Sequence, residues 1–543
     1  MRGLMQDWSL LIHRVIDYAA TEHPEREVVS RLVEGPLHRS NYGEIRRRAL
    51  RCAKRLAAEG IGVGDRVATL AWNTARHLET WYGITGIGAI YHTVNPRLFA
   101  DQITYIMNHA GDRLLFLDLT FVPVIEKLAP QLTSVERYVV LTDAAHMPQT
   151  SLPNAVPYEE WLAEADDDFR WTDVDENTAA GLCYTSGTTG EPKGVLYSHR
   201  SNVLHAMMVV APDAFGLSVR DRVLPVVPLF HANSWSLAFS APMTGAALIL
   251  PGPRLDGASI FELLEGEKVT FTAAVPTIWF ALLQHLEKTG ARLTTLKKVG
   301  IGGSACPPAV IEVFERKYGV EVLHAWGMTE MSPVGSVCSI KPEARSDEDY
   351  GKLLGVKSTQ GYAPFTVEWK ITDDEGERLP HDGKTFGRLK VRGPAVARRY
   401  FKRDDEEILD GEGYFDTGDV ATLDAHGYMR ITDRSKDVIK SGGEWISSID
   451  LENIAVGHPS VAEAAVIGIA HPKWDERPLL IVVPKPGTTP GRDELLDFIR
   501  PKIAKWWMPD DVVVVDEIPH TATGKILKTA LRERFKHHTL PGA

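Results

Sequence analysis

The feature that most constrains this chain is the regular alternation of helix-like and strand-like segments up to about residue 360. Apolar residues recur at helical spacing over 45–57, and short apolar runs typical of buried strands follow at 66–70 and 113–117. Such alternation pairs strands in parallel and covers the sheet with helices. The sequence therefore predicts an α/β fold with a large N-terminal domain of layered parallel sheets.

The remaining segments complete this prediction. Further strands are predicted at 137–141, 179–183, 223–227, 246–250, 270–274, 298–301 and 320–323, with a helix at 122–132. Residues 144–158 contain three prolines and are expected to form a connecting loop. From about residue 360 the pattern changes to hairpins, with strands at 366–370 and 388–391 and a turn at 374–376, which predicts a β-rich subdomain.

A last unit of roughly one hundred residues, from about residue 437, has the size of a small domain. It mixes strands at 464–467 and 480–483 with a helix at 493–505, which predicts an α+β unit. The chain of 543 residues is long enough for two or more domains with full cores.

Composition excludes several classes of protein. No apolar run approaches the roughly 18 residues of a membrane span, and Asp7 and Arg14 interrupt the N-terminal region, so no integral membrane segment and no signal peptide are predicted. We expect a cytoplasmic protein. The formal charge of −12 disfavours a nucleic-acid partner. Four cysteines without metal-type spacing are expected to be buried free thiols.

Residues 184–194, Tyr-Thr-Ser-Gly-Thr-Thr-Gly-Glu-Pro-Lys-Gly, follow the predicted strand 179–183 and precede a helix start at 198–202. The glycines let the backbone approach a ligand, while the hydroxyls, the backbone N–H groups and Lys193 all donate, which favours phosphate binding. Gly194 stands where a Walker loop has its magnesium-binding Ser or Thr, so that class is disfavoured. A polar surface linker is the alternative.

Other candidate residues follow later strands, and ligands of open parallel sheets bind at strand carboxyl ends. His231 and Trp235 lie in an aromatic-rich loop, although core aromatics and a satisfied histidine would give the same pattern. Residues 302–305, Gly-Gly-Ser-Ala, would let a base or acyl chain lie against backbone, or form a plain turn. Glu330 offers the single hard carboxylate that suits magnesium beside phosphates, or a helix-start acid.

Three candidates lie nearer the C-terminus. Asp419 can accept hydrogen bonds from both hydroxyls of a ribose, with an Asx-turn as the alternative. The segment 433–437, Asp-Arg-Ser-Lys-Asp, would ordinarily be a solvated charged loop, and Lys525 a solvated surface charge.

These motifs resemble those of the adenylate-forming superfamily, which includes acyl-CoA synthetases, adenylation domains of peptide synthetases and firefly-type luciferases. The segments 184–194, 324–330 (His-Ala-Trp-Gly-Met-Thr-Glu), 414–419, 433–437, 441–447 and 519–526 stand in the family's order over nearly the whole chain. The residues of these motifs are most similar to those of the fatty-acid–CoA ligase branch, which includes 3-methylmercaptopropionate–CoA ligases. In amino-acid-activating relatives an Asp lies near position 231; His231 here favours an acid without an amino group.

The resemblance implies a role for each matching residue. It implies contacts with ATP or AMP from Thr185, Ser186, Gly187, Thr188, Thr189, Gly190, Lys193, Gly303, Ser304, Ala305, Ala325, Trp326, Gly327, Met328, Thr329, Asp419, Arg434 and Lys525. It implies an acyl pocket at His231, Trp235, Gly302, Gly303 and Gly327, a hinge at Lys436, and a CoA-facing hairpin at Ser441, Gly442, Gly443, Glu444 and Trp445. Catalytic roles fall on Lys525, Glu330, Thr185 and His231, with Thr185 and Glu330 holding Mg²⁺. Trp326 would stack on adenine, and Trp235 stands in the place of a gating aromatic.

The implied enzyme is an AMP-forming acid–thiol ligase for a short- to medium-chain acid, either a fatty acid or 3-methylmercaptopropionate, using ATP, Mg²⁺ and CoA. Its N-terminal domain would span 1–433, with the β subdomain at about 360–433, a hinge at 434–438 and a mobile C-terminal lid at 439–543. An adenylation enzyme that loads a carrier protein and an inert nucleotide-binding protein are the alternatives. Relatives of this kind are often dimers, so a homodimer is possible.

Overall fold

The computed structural model describes residues 1, 3–185, 191–346, 349–441, 444–521 and 526–541, with the side chain of residue 444 left out. The helices are α1 (His13–Glu22), α2 (Tyr42–Ala58), α3 (Ala75–Gly86), α4 (Ala100–Ala110), α5 (Val122–Leu128), α6 (Tyr158–Ala163), α7 (His199–Val209), α8 (Leu237–Thr244), α9 (Gly257–Gly266), α10 (Pro276–Thr289), α11 (Pro308–Glu312), α12 (Tyr350–Lys357), α13 (Ser448–Val456), α14 (Arg492–Ile499) and α15 (Lys528–Phe535). None of these helices has both the length and the apolar character needed to cross a bilayer.

The strands of the described residues alternate with these helices over the first two thirds of the chain. They are β1 (Glu27–Arg31), β2 (Leu37–Asn41), β3 (Arg66–Leu70), β4 (Ile90–Thr93), β5 (Leu114–Leu117), β6 (Arg137–Val140), β7 (Ala155–Pro157), β8 (Ala179–Tyr184), β9 (Gly194–Ser198), β10 (Arg222–Pro225), β11 (Ala247–Leu250), β12 (Phe271–Ala274), β13 (Lys298–Ile301), β14 (Glu321–Gly327), β15 (Val334–Val337), β16 (Glu368–Thr372), β17 (Gly387–Arg392), β18 (Phe415–Leu423), β19 (Met429–Arg434), β20 (Ile439–Ser441), β21 (Glu444–Ile446), β22 (Val461–His471), β23 (Asp475–Pro484) and β24 (Asp511–Val514).

Two large sheets form the N-terminal part. One has eight strands in the order β15-β14-β13-β12-β10-β11-β1-β2, and the other has seven in the order β7-β6-β5-β3-β4-β8-β9. Pairing is parallel except at β14–β15, β1–β2 and β8–β9. The predicted fold of layered parallel sheets is therefore confirmed.

The two sheets share one apolar core, and local sequence explains its main elements. β8 is an apolar run whose central residues are buried, as expected of a strand covered on both faces. α7 begins where the Ser198 side chain accepts a hydrogen bond from the N–H of Ser201. Trp81, Phe239 and Trp235 belong to the same core cluster. Residues at or beyond the carboxyl end of β8 in one sheet, and of β10, β13 and β14 in the other, line one cavity.

Two smaller sheets follow, as the change of pattern after residue 360 predicts. β16 to β19 form a four-stranded antiparallel sheet, and β20 to β24 form the C-terminal sheet. The Ser447 hydroxyl donates to the carbonyl of Thr432 at 2.7 Å, and the Ser448 N–H donates to Asp433 at 3.0 Å. These bonds join α13 of the C-terminal unit to β19 of the four-stranded sheet.

Two local predictions are wrong. The expected loop at 144–158 contains β7, and α6 begins at Tyr158, because the rings of Tyr158 and Trp161 pack against Phe116 and draw this segment onto the sheet edge. The helix expected at 493–505 ends at Ile499, because Pro501 has no N–H to continue the hydrogen-bond ladder. The prediction for the cysteines is confirmed, since all four are free and buried.

Candidate active site

The phosphate-binding candidate begins directly after β8. The Thr185 N–H donates to the carbonyl of Lys193 at 2.9 Å, and the Lys193 N–H donates to Thr185 Oγ1 at 3.3 Å. The two ends of the segment are therefore held together. Residues 186–190, which include Ser186, Gly187, Thr188, Thr189 and Gly190, lie outside the described residues.

The Lys193 ammonium has partners from the four-stranded sheet's subdomain. Its Nζ lies 2.7 Å from Glu406 Oε1 and 4.6 Å from the centre of the Tyr400 ring. Lys193 and Glu406 are each about one-third exposed, at 33% and 35% of the side chain. An anion that enters here would compete with Glu406 for Lys193.

Glu330 lies just after β14 and is buried. The Tyr400 hydroxyl donates to Glu330 Oε1 at 2.8 Å, and the Ala397 N–H donates to the Glu330 carbonyl at 2.7 Å. Burial, followed by the nearby Glu330, raises the pKa of Tyr400, so its hydroxyl keeps its proton. Tyr400 thus contacts both Glu330 and Lys193 and fixes their relative position.

Sequence reasoning missed Tyr400 and Glu406. They lie in Arg-Arg-Tyr-Phe-Lys-Arg-Asp-Asp-Glu, residues 398–406, which has the charge density of a solvated loop. The aromatic residues Tyr400 and Phe401 within this charged run could have indicated that part of it is buried. The segment folds back on the nucleotide side, where the Phe401 N–H donates to the Gly194 carbonyl at 2.8 Å.

His231 and Trp235 mark the apolar end of the site. Both follow β10 and line the same cavity, and Trp235 is 6% exposed. A Cβ placed on Gly302 would lie 2.6 Å from the Ala325 carbonyl oxygen and 3.2 Å from Trp235 Cη2, so a side chain has no room there. Gly303 has a φ of +81°, which favours glycine.

Asp419, on β18, already has a partner at each carboxylate oxygen. The Trp326 Nε1–H donates to Oδ2 at 2.8 Å, and Arg434 Nε lies 2.8 Å from Oδ1. The Trp326 ring is largely buried at 8% exposure. Its adenine-stacking role and the ribose role of Asp419 stay predictions.

Most of the candidates meet in a cavity of about 380 Å³. The predicted residues that line it are Thr185, Lys193, His231, Trp235, Gly303, Ala325, Trp326, Gly327, Met328, Thr329, Glu330, Arg434 and Lys436. A second cavity of about 270 Å³ shares Gly303 and residues 325–327 with the first and adds Ser304, Ala305 and Asp419. One continuous region can therefore hold a nucleotide, its phosphates and an acid.

The C-terminal unit contributes to this region. Thr521 and Ile526, which flank the residues 522–525 that the structure leaves undescribed, line the larger cavity. Lys525 itself lies outside the described residues. Burial lowers the pKa of Lys436, and the nearby Arg434 and Arg532 act in the same direction.

The predicted CoA hairpin is placed elsewhere. β20 and β21 pair in an antiparallel hairpin, with Ser441 opposite Glu444. Ser441 and Trp445 are not among the described residues that line either cavity. Gly442 and Gly443 are outside the described residues, and of Glu444 only the backbone is described.

Comparisons with known proteins agree with this arrangement. The model of the AMP-binding enzyme family matches residues 16–401, and that of the AMP-binding enzyme C-terminal domain matches residues 450–525. The chain is 51% identical to a 3-methylmercaptopropionyl-CoA ligase of Ruegeria lacuscaerulensis over 99% of both chains. It is 47% identical to a medium-chain-fatty-acid–CoA ligase of Ectopseudomonas oleovorans over 98% of both.

Solved structures show the same fold over the whole length. The structure is similar to that of the anthranilate CoA ligase AuaEII in complex with anthranoyl-AMP, with a TM-score of 0.85 and 25% identity over 98% of this chain and 99% of that one. It is also similar to ATP-bound MatB from Rhodopseudomonas palustris, with a TM-score of 0.81 and 25% identity over 97% and 99%.

The chain belongs to the AMP-binding enzyme family. Within that family it is an AMP-forming acyl-CoA ligase, as the motifs predict. The roles of the individual site residues and the domain boundaries stay predictions.

Proposed function

We propose that this enzyme joins a short- to medium-chain carboxylic acid to AMP and then to CoA, with 3-methylmercaptopropionate as its favoured acid. The observation that carries the proposal is the single cavity in which Lys193, Glu330, His231 and Trp235 meet. This cavity offers a cation and a carboxylate at one end and aromatic and small residues at the other. A charged triphosphate and a short apolar acid need that combination.

In the first step the acid's carboxylate attacks the α-phosphorus of ATP and pyrophosphate leaves. Negative charge grows on the phosphate oxygens, and fixed donors and cations stabilise it. Lys193, the hydroxyl of Thr185 and the undescribed donors of 186–190 would hold the leaving group. Lys525, which directly precedes the cavity-lining Ile526, would bring a further ammonium to the reacting oxygens.

The residues present fit Mg²⁺. Glu330 and the Thr185 hydroxyl supply hard oxygens, and Mg²⁺ at a nucleotide needs few protein ligands because phosphates and water complete its shell. Among the described residues there is no cluster of three or more ligating His, Cys, Asp or Glu side chains. The ion, when bound, would neutralise phosphate charge. Tyr400 holds the Glu330 carboxylate in place with its 2.8 Å hydrogen bond.

In the second step CoA displaces AMP from the acyl group. We propose that the C-terminal unit, residues 439–543, rotates about Lys436, withdraws Lys525 and brings the 441–447 hairpin to the cavity. The described arrangement, in which Thr521 and Ile526 line the cavity and Ser441 does not, suits the first step. A homodimer and a cytoplasmic location stay predictions from the sequence.

The size of the acid follows from the apolar end. The indole of Trp235 lines the cavity and lies against Gly302, and in this proposal it limits the acid to a short chain. His231 stands where amino-acid-activating relatives have an Asp that holds the amino group, which favours an acid without an amino group. The relative that is 51% identical over the full length is named for the sulfur-containing acid, which supports the same choice.

A panel of acids tests the proposal. The purified enzyme is incubated with ATP, Mg²⁺ and acids from propionate through 3-methylmercaptopropionate to palmitate, with and without CoA. We expect pyrophosphate release, an acyl-AMP without CoA and a thioester with CoA, and the highest kcat/KM for 3-methylmercaptopropionate. A maximum at palmitate would contradict the proposed acid, and failure with every acid would contradict the proposed activity.

A further inference from the structure

The turn that carries Trp235 has an unusual backbone. Residues 232–236, Ala-Asn-Ser-Trp-Ser, all have left-handed φ values, of 43°, 56°, 52°, 51° and 70°. None of them is glycine, and each left-handed residue with a side chain raises the conformational free energy. The surrounding structure must therefore hold this turn in place.

The turn is held by the Ser234 hydroxyl, which donates to the Val227 carbonyl at 2.6 Å, and by Asn233. The Asn233 side chain is fully buried, and both ends of its amide are engaged. The Tyr91 hydroxyl, on β4, donates to Asn233 Oδ1 at 3.1 Å, and Asn233 Nδ2 donates to Asn202 Oδ1, on α7, at 3.0 Å. Asn202 is fixed in turn, because its Nδ2 donates to the Ser198 carbonyl at 3.2 Å. The turn is thus tied to one strand and one helix.

Tyr91 has almost no freedom to move. Its ring stacks on Trp81 with centres 4.4 Å apart and planes 8° apart. A Cβ at Gly181 would lie 2.3 Å from Tyr91 Cζ, so the ring fills the space that this glycine leaves. The position of Tyr91 therefore fixes the position of Asn233.

Trp235 is two residues beyond Asn233 and lines the cavity beside Gly302. We propose that Asn233 is a specificity-determining positioning residue, which keeps the turn left-handed and so keeps the Trp235 indole against Gly302. This inference rests on the proposed function, because it assumes that an acyl chain fills this end. If the hydrogen bonds of Asn233 are lost, the turn relaxes and the indole leaves Gly302. Longer acids then gain room, while short acids lose contact with the indole.

The test compares two acids in Tyr91→Phe and Asn233→Ala. The measured quantity is the kcat/KM for decanoate divided by that for propionate, from pyrophosphate release with saturating ATP. We expect this ratio to rise about 5-fold in Tyr91→Phe, as for loss of one buried hydrogen bond, and further in Asn233→Ala. The KM for ATP should change less than about 2-fold, because the nucleotide lies at the other end.

Tyr82→Phe is the matched control. Tyr82 is also fully buried, and its hydroxyl donates to the Ala238 carbonyl at 2.9 Å, just outside the turn. We expect it to lower the thermal midpoint as Tyr91→Phe does and to leave the ratio unchanged. If Asn233→Ala does not fold, the comparison of the two tyrosine variants decides.

The outcomes separate the two proposals. The role of Asn233 would be overturned if the decanoate-to-propionate ratio of kcat/KM in Tyr91→Phe equalled that of wild type or of Tyr82→Phe. An equal loss of kcat/KM for both acids would leave the ratio unchanged and would overturn it as well. A wild-type enzyme that releases no pyrophosphate with any acid would overturn the proposed function itself.

Discussion

The two ends of the cavity are held in different ways. At the acyl end, neutral hydrogen bonds between fully buried side chains fix the turn that carries Trp235. At the proposed phosphate end, charged side chains pair with one another: Lys193 and Glu406 are each about one-third exposed, and the half-exposed Arg434 pairs with the buried Asp419. Exposed ion pairs contribute little and exchange partners easily, whereas buried hydrogen bonds are costly to leave unmade.

This difference separates two tasks. The acyl end has one arrangement before any substrate arrives, which suits selection by size. The phosphate end has ion pairs that the phosphates and ribose of ATP can take over, which suits a group that enters, reacts and leaves.

The largest effect is expected for Lys525→Ala. Adenylation should fall about 10²- to 10³-fold, or ~3–4 kcal/mol, as when a preorganised donor to developing charge is removed. Conversion of supplied acyl-AMP to thioester should continue, because Lys525 would be withdrawn in that step. Both half-reactions are measured separately, with Lys536→Ala as control, since Lys536 pairs with Glu533 on the surface. An equal drop in both would remove the specific role of Lys525.

Tyr400→Phe should have the next largest effect. It keeps the ring beside Lys193 and removes only the hydroxyl that orients Glu330, so we expect adenylation to fall about 10-fold and the magnesium concentration for half-maximal rate to rise. Tyr414→Phe is the matched control. That tyrosine is also buried, has Lys370 4.4 Å from its ring centre and donates to Glu368 at 3.4 Å, outside both cavities. Equal behaviour of the two variants would contradict the positioning role of Tyr400.

Glu406→Gln should have a small effect of the opposite sign. The variant removes the carboxylate that competes for Lys193, so the KM for ATP should fall about 2-fold, the modest size expected of a part-exposed ion pair. The kcat should stay the same. A rise in the KM for ATP would mean that Glu406 orients Lys193 for ATP. The proposal that the ATP phosphates replace Glu406 as the partner of Lys193 would then be wrong.

The smallest effect is a pH-dependent change in stability at His520. The hydrogen bond with Glu463, at 2.5 Å, raises the pKa of His520. The pair therefore stabilises the protein fully below the ordinary histidine pKa of about 6.5, and this contribution is lost as pH rises through the raised pKa. We expect His520→Gln to lower the thermal midpoint at about pH 5.5, through a loss of less than about 1 kcal/mol in the free energy of unfolding, and to have no effect near pH 9.

Glu463→Gln should reproduce that pattern, because it removes the other partner of the same pair. A difference between wild type and His520→Gln that grows with pH would show that the pair acts with the opposite sign.

Sequence patterns predict the fold well because its strands are local apolar runs. β8 and the start of α7 are found on either side of residues 184–194 as expected, and the motifs after β10, β13 and β14 meet because parallel strands end at one edge. The β7 strand is missed because burial of Tyr158 and Trp161, far away in sequence from their contacts, outweighs local proline signals.

The unpredicted parts of the site depend on distant contacts. The turn at 232–236 contains no glycine that would indicate a left-handed backbone. The hydrogen-bond partners of Asn233 are 142 residues away at Tyr91 and 31 residues away at Asn202. Tyr400 and Glu406 reach Glu330 and Lys193 across 70 and 213 residues. Local propensity carries no information about such pairs.

In the proposed adenylation step the acid's own oxygen becomes bonded to the α-phosphorus of ATP. An acid whose carboxylate carries heavy oxygen tests it directly, with ATP, Mg²⁺ and CoA, by mass spectrometry of the nucleotide and phosphate products. This route predicts one heavy oxygen in AMP and none in pyrophosphate, because CoA attacks the acyl carbon and the former carboxylate oxygen leaves with AMP. Unlabelled AMP, or label in inorganic phosphate together with ADP, would contradict it.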